Sequence, residues 1–319
     1  MLALCLTAQG PQVQPDHPEP RVAAGEALIG LQLGGICATD LELVRGYMGF
    51  EGVMGHEWVG QVQAHPDADW VGQRVVGDIN CPCGACETCR AGRPTHCPRR
   101  TVLGILGRDG AFSERFALPV GNLHRVPEDV TSEAAVFVEP LAAACQIVQQ
   151  VHIRPTDHVA VLGVGRLGQL CARVLALTGA RVVGVGRSAG RLELLPAGVS
   201  AARVDDLGDT RFDVVVDCTG SPQGLSVATQ LVRPRGTVVL KTTVHEPLPQ
   251  SMTPWVIDEL SLVGSRCGPF GPALRLLQRG LVDPLPLLSA HYPLSRGVQA
   301  LQQAGAPDTV KVVMSPGPR

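Results

Sequence analysis

Four cysteines in one short segment are the clearest candidates for chemistry. They are separated by two, two and seven residues: Cys83, Cys86, Cys89 and Cys97. A tetrahedral zinc ion held by four thiolates needs ligands that are close in sequence, on a loop that can wrap the ion. The spacing therefore predicts a structural zinc site. Cys81 is a fifth cysteine for four positions, and His96 is an alternative ligand beside Cys97, but we favour coordination by the four sulfurs.

A second possible metal site lies upstream, around Cys37 and His56. A catalytic zinc ion takes about three protein ligands and keeps one coordination position open. Cys37 and His56 can supply two ligands, and Glu57 or Glu139 can supply a third. The sequence therefore predicts a catalytic zinc site, and it leaves open whether Glu57, Glu139 or water completes the coordination.

A glycine-rich loop follows an apolar run at 159–162 and leads into a helical pattern. The loop has the form Gly-x-Gly-x-x-Gly: Gly163, Val164, Gly165, Arg166, Leu167 and Gly168. The first glycine can make a tight turn, the second can let a pyrophosphate approach the backbone, and the third can let the helix lie close to the strand. The helix N-terminus then offers N–H groups to phosphates. This order predicts dinucleotide binding, and the alternative is a glycine-rich turn in another kind of α/β unit.

Two patterns of secondary structure must position these groups. Residues 1 to about 140 contain short predicted strands, at 27–33, 59–63, 74–77 and 112–116, which indicate an antiparallel β-barrel or sandwich. Residues 134–151 form a predicted helix. Apolar strands then alternate with helices, at 158–162, 181–185, 212–217 and 236–240, which predicts a buried parallel sheet. A helix near 295–304 and a strand at 310–314 close the chain.

These patterns predict an α/β protein with two domains. The first is residues 1–140, with a zinc lobe at 81–97. The dinucleotide-binding domain is residues 141–279, and residues 280–319 are predicted to return to the first domain.

Composition excludes several classes of function. The 319 residues carry a net charge of −2 and no concentrated basic patch, so nucleic acid is not an expected partner. No apolar run is long enough to span a membrane, and the first residues lack the basic region of a signal peptide. Because five of the eleven cysteines crowd between 81 and 97, metal binding is favoured over disulfides. We therefore expect a cytoplasmic protein.

Taken together, the motifs resemble one enzyme family along nearly the whole chain. They are GICATD, GHEWVG, the Cys83–Cys97 lobe, GAFSERFALP, FVEPLA, GVGRLG and the closing KVVM. They resemble the zinc-dependent medium-chain dehydrogenase/reductase family, which includes alcohol, polyol, glucose and threonine dehydrogenases. The resemblance implies a GroES-like β-barrel catalytic domain and a Rossmann domain with a doubly wound parallel sheet. It also implies an active site in the cleft between the two domains.

The resemblance assigns roles around the catalytic metal. Cys37 and His56 correspond to zinc ligands, and Glu57 or Glu139 to an acidic group at or near the zinc. Asp40 would accept the far N–H of His56 and fix the tautomer of the ring. Its alternative role is that of a helix N-cap, and the two roles are compatible.

The resemblance also implies groups that move a proton or contact the cofactor. Thr39 corresponds to the hydroxyl that exchanges a proton with the substrate oxygen. Glu42 stands where relatives have a histidine that relays this proton, and its alternative is a solvated helix residue. Lys311 aligns with a basic residue that reaches the cofactor pyrophosphate in some members, although a solvated lysine is the alternative.

The end of the second Rossmann strand bears on the choice of nicotinamide cofactor. Members selective for NAD carry an acid there, which binds the ribose hydroxyls and repels a 2′-phosphate. Here Gly186, Arg187 and Ser188 occupy the strand end and the residues after it. Glycine leaves room, arginine can pair with two phosphate oxygens and serine can donate a hydrogen bond. The sequence therefore favours NADP over NAD, unless Arg187 only stacks on adenine.

The resulting hypothesis is a zinc-dependent alcohol or polyol dehydrogenase, or carbonyl reductase. It would transfer hydride between a small hydroxylated substrate and NADP(H), with one catalytic and one structural zinc ion, and would form a homo-oligomer. Two alternatives remain. One is a zinc-independent quinone or enoyl reductase of the same fold, and the other is a non-catalytic NADP-binding sensor.

Overall fold

The computed structural model describes residues 1–244 and 251–317, and within them the strands are placed as follows. They are β1 (Ala3–Thr7), β2 (Gly10–Gln14), β3 (Glu26–Gly35), β4 (Gly52–Val53), β5 (Glu57–Ala64), β6 (Arg74–Gly77), β7 (Asn80–Cys81), β8 (Thr101–Val102), β9 (Arg115–Pro119), β10 (Leu123–Arg125), β11 (His158–Leu162), β12 (Arg181–Val185), β13 (Val199–Ala202), β14 (Phe212–Asp217), β15 (Val232–Leu240), β16 (Ser261–Gly264), β17 (Leu288–Pro293) and β18 (Lys311–Ser315).

The α-helices of the same residues fall between these strands. They are α1 (Ala38–Val44), α2 (Glu87–Arg90), α3 (Ser132–Ala135), α4 (Val138–Gln150), α5 (Arg166–Ala176), α6 (Ala189–Glu193), α7 (Gly224–Leu231), α8 (Thr253–Ile257), α9 (Phe270–Gln278) and α10 (Gly297–Gly305). Short 3₁₀ turns connect several of them. No helix in the described residues combines the length and the apolar character needed to cross a membrane.

The chain divides into two units, residues 1–139 with 270–319, and residues 140–269. The predicted boundaries were 140 and 279, so the return to the first unit begins earlier, at α9. The Phe270 ring stacks on that of His124, with 5.0 Å between ring centroids, which joins this helix to the first unit. Residues 245–250 and 318–319 of the predicted domains lie outside the described part of the chain.

The first unit is built mainly from antiparallel strands. Its largest sheet has the order β10-β6-β5-β3-β18-β17, with β9 also paired to β3. Closing strand β18 lies beside β3, where Met314 is opposite Gly34 and Val313 is opposite Gly35. In β3 and β5, Gly35 is opposite Glu57, so the end of β3 lies beside the start of β5. This register places the segments that follow β3 and precede β5 at one edge.

The second unit contains a six-stranded parallel sheet. Its order is β13-β12-β11-β14-β15-β16. The central strands β11 and β14 are almost wholly buried, as parallel strands covered on both faces must be. Strands β12 and β13 lie on one side of β11, and strands β14, β15 and β16 lie on the other. The glycine loop after β11 therefore lies where the strand order reverses, which is the usual ligand position of such sheets.

Two sequence predictions need correction. The predicted helix at 134–151 is two helices, α3 and α4. Pro140 stands in the first turn of α4, where its missing N–H costs nothing, so a new helix begins just before it. The predicted strand at 112–116 begins only at Arg115. Phe112 is buried and bonds through its backbone to Leu4 and Met54 instead.

Candidate metal centres and dinucleotide loop

The four cysteines of the 81–97 lobe converge on one point. The facing sulfur atoms of Cys83, Cys86, Cys89 and Cys97 lie 3.4–3.7 Å apart, and all four lie within 4.8 Å of one another. Tetrahedral zinc with Zn–S bonds of about 2.3 Å requires sulfurs about 3.8 Å apart. All four are free thiols. The donor set therefore fits zinc, whereas Cys81 and His96 lie outside it.

Charge around these sulfurs also suits a cation. Backbone N–H groups, chiefly that of Ala85, lower the pKa of the Cys83 thiol to about 6. The Arg99 guanidinium donates to Cys83 Sγ at 3.2 Å. Desolvation and the neighbouring sulfurs instead raise the pKa of Cys89 to about 12. Four thiolates at this spacing therefore need a bound cation to exist together. Arg99 was not predicted, because nothing local in the sequence links it to Cys83.

The second donor set is formed by Cys37, His56 and Glu57, whose ligand atoms lie within 4.8 Å of one another. Cys37 is the N-cap of α1, which follows β3, and Glu57 opens β5. The antiparallel pairing of β3 with β5 brings the three together. His56 and Glu57 are buried. A thiol, an imidazole and a carboxylate form a set of the kind that catalytic zinc sites use.

Asp40 lies behind this set. Its Oδ2 accepts the Cys37 backbone N–H at 2.8 Å, and its Oδ1 lies 3.3 Å from His56 Nδ1. Asp40 is the third residue of α1 and not its N-cap, because Cys37 holds that position. A proton on Nδ1 that faces Asp40 leaves Nε2 of His56 as the metal-binding nitrogen.

Burial and charge alter two acid–base groups here. Burial opposes protonation of His56, but Asp40 and Cys37 outweigh it and hold the pKa of His56 well above its ordinary value. Desolvation raises the pKa of Glu139 to about 7. Glu139 is not in the donor set within 4.8 Å, so Glu57 is the acidic residue that the structure groups with the two other ligands.

Lys311 is buried in the first unit, with 1% of its surface exposed. Its ammonium donates to Glu57 Oε2 and lies 5.4 Å from the centroid of the Phe137 ring. The family resemblance implied a contact between Lys311 and the cofactor pyrophosphate, whereas in the structure the Lys311 ammonium donates to Glu57. Local patterns could not indicate this pair, because the residues are 254 positions apart.

The two candidate proton-transfer residues lie on α1. Thr39 Oγ1 lies 3.7 Å from Cys37 Sγ, beside the donor set. Glu42, one turn further along, forms an exposed ion pair with Arg45. The structure therefore brings Thr39 to the candidate site, while the carboxylate of Glu42 faces an arginine at the surface.

The three glycines of the loop after β11 differ in whether backbone conformation or packing requires glycine at their positions. Gly163 has a φ of +90°, which favours glycine. A Cβ on Gly168 would lie 1.9 Å from the Gly163 carbonyl oxygen. Gly165 has an ordinary φ of −81°, and a Cβ there would meet only the Arg191 guanidinium, at 3.8 Å. The fold itself does not require glycine at 165, so the open space fits a ligand that approaches the backbone.

This loop leads directly into the N-terminus of α5. Gly165 is the N-cap, Arg166 and Leu167 form the start of the first turn, and that turn contains no acidic residue. N–H groups at such a terminus attract phosphate. The residues present therefore fit the pyrophosphate of a dinucleotide.

Gly186 follows the neighbouring strand β12. A Cβ at 186 would lie 2.6 Å from Val164, so packing leaves no room for an acidic side chain there. Arg187 is exposed, and Ser188 caps α6 by accepting the Arg191 N–H at 3.2 Å. Arg191, for which the sequence left open a phosphate contact or a plain surface position on the helix, has its guanidinium near Gly165.

Comparison with protein families agrees with both units. Residues 23–128 match the alcohol dehydrogenase GroES-like domain, and residues 167–279 match the zinc-binding dehydrogenase family. The chain belongs to the zinc-type medium-chain dehydrogenase/reductase family. Its two units are thus the GroES-like and Rossmann domains of that family.

Individual relatives of this family are oxidoreductases. The 2-dehydro-3-deoxy-L-galactonate 5-dehydrogenase of Pseudoalteromonas atlantica is 30% identical, over 85% of this chain and 86% of its own length. The alcohol dehydrogenase RspB of Escherichia coli CFT073, complexed with NADH, has 26% identity and a TM-score of 0.90, over 99% of both chains. A zinc-binding dehydrogenase of Sinorhizobium meliloti, bound to NADP, has 26% identity and a TM-score of 0.86, also over 99% of both chains.

Proposed function

We propose that this protein is a zinc-dependent dehydrogenase that transfers hydride between a polyol or sugar-acid hydroxyl group and NADP(H). The observation that carries the proposal is the convergence of Cys37, His56 and Glu57, with Asp40 behind His56. Neither a quinone or enoyl reductase without zinc nor a passive sensor needs that arrangement. The four-cysteine cluster would hold a second, structural zinc ion.

In the mechanism, Cys37, His56 and Glu57 would hold the catalytic zinc. Zinc, when bound, supplies a Lewis acid that lowers the pKa of a substrate hydroxyl or polarises a carbonyl. The Gly163–Gly168 loop would hold a nicotinamide dinucleotide, which would supply the hydride chemistry when bound. The role of the protein is to bind, to orient and to move the proton.

Thr39 is the proposed proton-transfer group. Its hydroxyl lies 3.7 Å from Cys37 Sγ, which is close enough to the ligand set to reach a substrate oxygen held there. A hydroxyl can accept one proton while it donates another, so Thr39 can pass the substrate proton onward. Glu42, one turn along α1, is the proposed next acceptor on the way to solvent. Its carboxylate forms an ion pair with Arg45 at the surface, where it can exchange with solvent.

Asp40 acts through His56 and does not touch the substrate. One of its oxygens holds the Cys37 backbone and the other faces His56 Nδ1, so one carboxylate orients two ligands. Lys311 balances the charge of Glu57, which burial would otherwise make costly. Glu139, with its raised pKa, is a further acidic group of this unit that could join the coordination.

The proposed preference for NADP rests on the corner after β12. Gly186 cannot carry an acid beside Val164, so nothing at that position repels a 2′-phosphate. Arg187 is exposed and can pair with two phosphate oxygens. The Ser188 hydroxyl, whose oxygen already accepts from α6, can donate its hydrogen to the phosphate.

The proposed substrate class is a small molecule with several hydroxyl groups. The acidic residues Glu57 and Glu139 support this class, as does the sugar-acid substrate in the name of the Pseudoalteromonas relative.

We also propose that the protein is a homo-oligomer. Strand β16 is an edge of the six-stranded sheet, and edge strands present unpaired N–H and C=O groups. The preceding helix α8 exposes Val256 and Ile257, at 72% and 74% of their surfaces. A second copy that covers this edge would bury both features, and light scattering coupled to chromatography measures the resulting mass.

The direct test is a turnover screen with zinc-loaded protein. Sugar alcohols, sugar acids and simple alcohols are offered with NADP and with NAD, and formation of the reduced nicotinamide is followed by absorbance. We expect turnover of a hydroxylated substrate, faster with NADP, and its loss when a chelator removes zinc. Turnover that survives complete zinc removal would support the zinc-independent reductase, and binding of NADP without turnover would support the sensor.

A further inference from the structure

Two cysteines of the Rossmann unit face each other beside the glycine loop. Cys171 lies in the second turn of α5, and Cys218 directly follows β14. The Cys218 thiol faces Cys171 Sγ at 3.8 Å, and both are free. Cys171 is buried, whereas Cys218 is partly exposed. Neither residue has a part in the zinc sites or in the proposed mechanism.

The pair is packed against the backbone that would hold the dinucleotide. A Cβ on Gly163 would lie 2.8 Å from the Cys218 carbonyl oxygen, and a Cβ on Gly168 would lie 3.4 Å from Cys218 Cβ. The Cys218 N–H also bonds to the Leu162 carbonyl, directly before the loop, at 2.8 Å. Because these atoms are already in close contact, a displacement of Cys218 would also move the backbone of the Gly163–Gly168 loop.

The surroundings favour a thiolate in this pair. The hydrogen bond from Cys218 lowers the pKa of Cys171 in spite of burial, and the positive charge of Lys241 acts in the same direction. Lys241 follows β15, and its ammonium is held by the carbonyls of Ala143 and Arg266 at 2.7 and 2.8 Å. A third thiol nearby, Cys145 on α4, is fully buried in the same unit, where burial raises its pKa to about 11.

We propose that Cys171 and Cys218 are a reversible dithiol–disulfide site, oxidised by a peroxide when the dinucleotide is absent, whose disulfide form binds the dinucleotide more weakly. This inference rests on the proposed function only in placing a dinucleotide at the Gly163–Gly168 loop. It identifies a modification site in the Rossmann unit and does not involve the metal ligands.

The oxidation balances with hydrogen peroxide as the oxidant. Cys218, the less buried residue of the two, passes its proton to Cys171 along their hydrogen bond and attacks one peroxide oxygen. The O–O bond breaks, and Cys218 becomes a sulfenic acid as hydroxide leaves. Hydroxide takes the proton from Cys171, whose sulfur then attacks the sulfenic sulfur, so that the S–S bond forms and the S–O bond breaks. That second attack releases hydroxide, so in total one thiol and one thiolate lose two electrons and one proton, and one peroxide becomes one water and one hydroxide.

A disulfide has an S–S bond of about 2.05 Å, so the sulfurs must approach by nearly half their present separation. That approach pulls the end of β14 towards α5 and shifts the loop backbone between them. A shift that removes one hydrogen bond to a charged phosphate weakens binding on the order of tenfold. A bound dinucleotide, in turn, covers the loop and slows oxidation.

The test uses the full-length, zinc-loaded protein treated with hydrogen peroxide, alone or with NADPH or NADH. Peptide mapping by mass spectrometry without reduction identifies the disulfide, and fluorescence titration measures NADPH affinity. We expect a Cys171–Cys218 peptide, NADPH binding weakened on the order of tenfold, and recovery of both with dithiothreitol. Either dinucleotide should slow formation of the bridge. Zinc release is followed in parallel, to separate oxidation of the 83–97 cluster.

Matched variants make the result specific. Cys218→Ser and Cys171→Ala should keep their NADPH affinity after peroxide, whereas Cys145→Ala, with its buried thiol outside the pair, should behave as wild type. If both cysteines stay reduced while the zinc-lobe cysteines oxidise, or if the bridge forms without changing NADPH affinity, the proposal is wrong. Failure of every substrate in the turnover screen would leave these binding and mapping results intact, so the two proposals fail separately.

Discussion

Asp40 Oδ1 lies 3.3 Å from His56 Nδ1, and both side chains are buried in the first unit. The other oxygen of Asp40 accepts the backbone N–H of Cys37. A single carboxylate thus orients two of the three candidate zinc ligands, one through its backbone and the other through its ring. The Asp40 carboxylate therefore both completes the capping box of α1 and orients the candidate zinc ligands.

Asp40→Asn tests this relationship. Asparagine can still accept the Cys37 N–H with its oxygen, but it turns an N–H donor towards His56 Nδ1. The ring then carries its proton on Nε2, the nitrogen needed for metal. We expect zinc affinity at this site to fall about 10- to 100-fold, with the fold retained. Competition with a chelator, read by elemental mass spectrometry, measures the change.

The control for that variant is Asp69→Asn, which removes an exposed carboxylate of the same unit. It should leave zinc affinity unchanged. Equal zinc affinity in wild type and Asp40→Asn would mean that Asp40 only caps α1.

Lys311→Met tests the buried ion pair with Glu57. Methionine keeps the length of the side chain and removes the charge, so in the metal-free protein Glu57 is left buried and unpaired. We expect the free energy of unfolding to fall by about 3 kcal/mol, and the double variant Glu57→Gln, Lys311→Met to recover most of that loss. Urea unfolding followed by circular dichroism gives both values. Unchanged stability together with weaker NADPH binding would instead support the pyrophosphate contact that the sequence suggested.

Gly165→Ala separates binding from folding at the loop. The added methyl group makes only an ordinary contact with the Arg191 guanidinium, and its effect on the helix N-cap lowers stability by no more than about 1 kcal/mol. It occupies the space proposed for the pyrophosphate, so we expect NADPH and NADH to bind at least about tenfold more weakly. Gly190→Ala, which also adds a methyl group in open space, is the control. Normal dinucleotide binding by Gly165→Ala would exclude this loop as the site.

Arg187→Ala tests the choice of cofactor. Loss of a paired arginine should weaken NADPH binding on the order of tenfold or more and leave NADH binding nearly unchanged. Arg181→Ala, at the opposite end of β12, should affect neither. If the binding of both cofactors weakens equally, Arg187 stacks on adenine and does not bind the 2′-phosphate. Fluorescence titration with each reduced cofactor distinguishes the two outcomes.

Local sequence patterns predicted the features that depend on neighbouring residues. The strands at 158–162, 181–185 and 212–217 were placed at their observed bounds, because short apolar runs between turns mark buried parallel strands. The Cys83–Cys97 cluster was also predictable, since its ligands are close in sequence. Within 134–151, Pro140 was a local signal that a new helix begins just before it. The prediction of one continuous helix followed the apolar periodicity instead and missed this signal.

Relationships between distant residues were not predictable in this way. Lys311 and Glu57 meet only because β18 joins the sheet of β3 and β5. Cys171 and Cys218 meet because β14 pairs with β11, the strand that leads into α5, and Arg191 lies near Gly165 because α6 folds back beside the loop. Pattern and propensity describe a residue within its own segment, whereas these contacts depend on tertiary packing.

Cys37, His56 and Glu57 are proposed to hold a catalytic zinc ion separate from the four-cysteine site. The most direct measurement is the zinc content per chain of wild type and of Cys37→Ala, by elemental mass spectrometry, alongside NADP-dependent turnover. We expect about two zinc ions in wild type, and about one, with turnover lost and the fold retained, in Cys37→Ala. A wild-type chain with a single zinc ion, or a Cys37→Ala chain that keeps two and remains active, would contradict it.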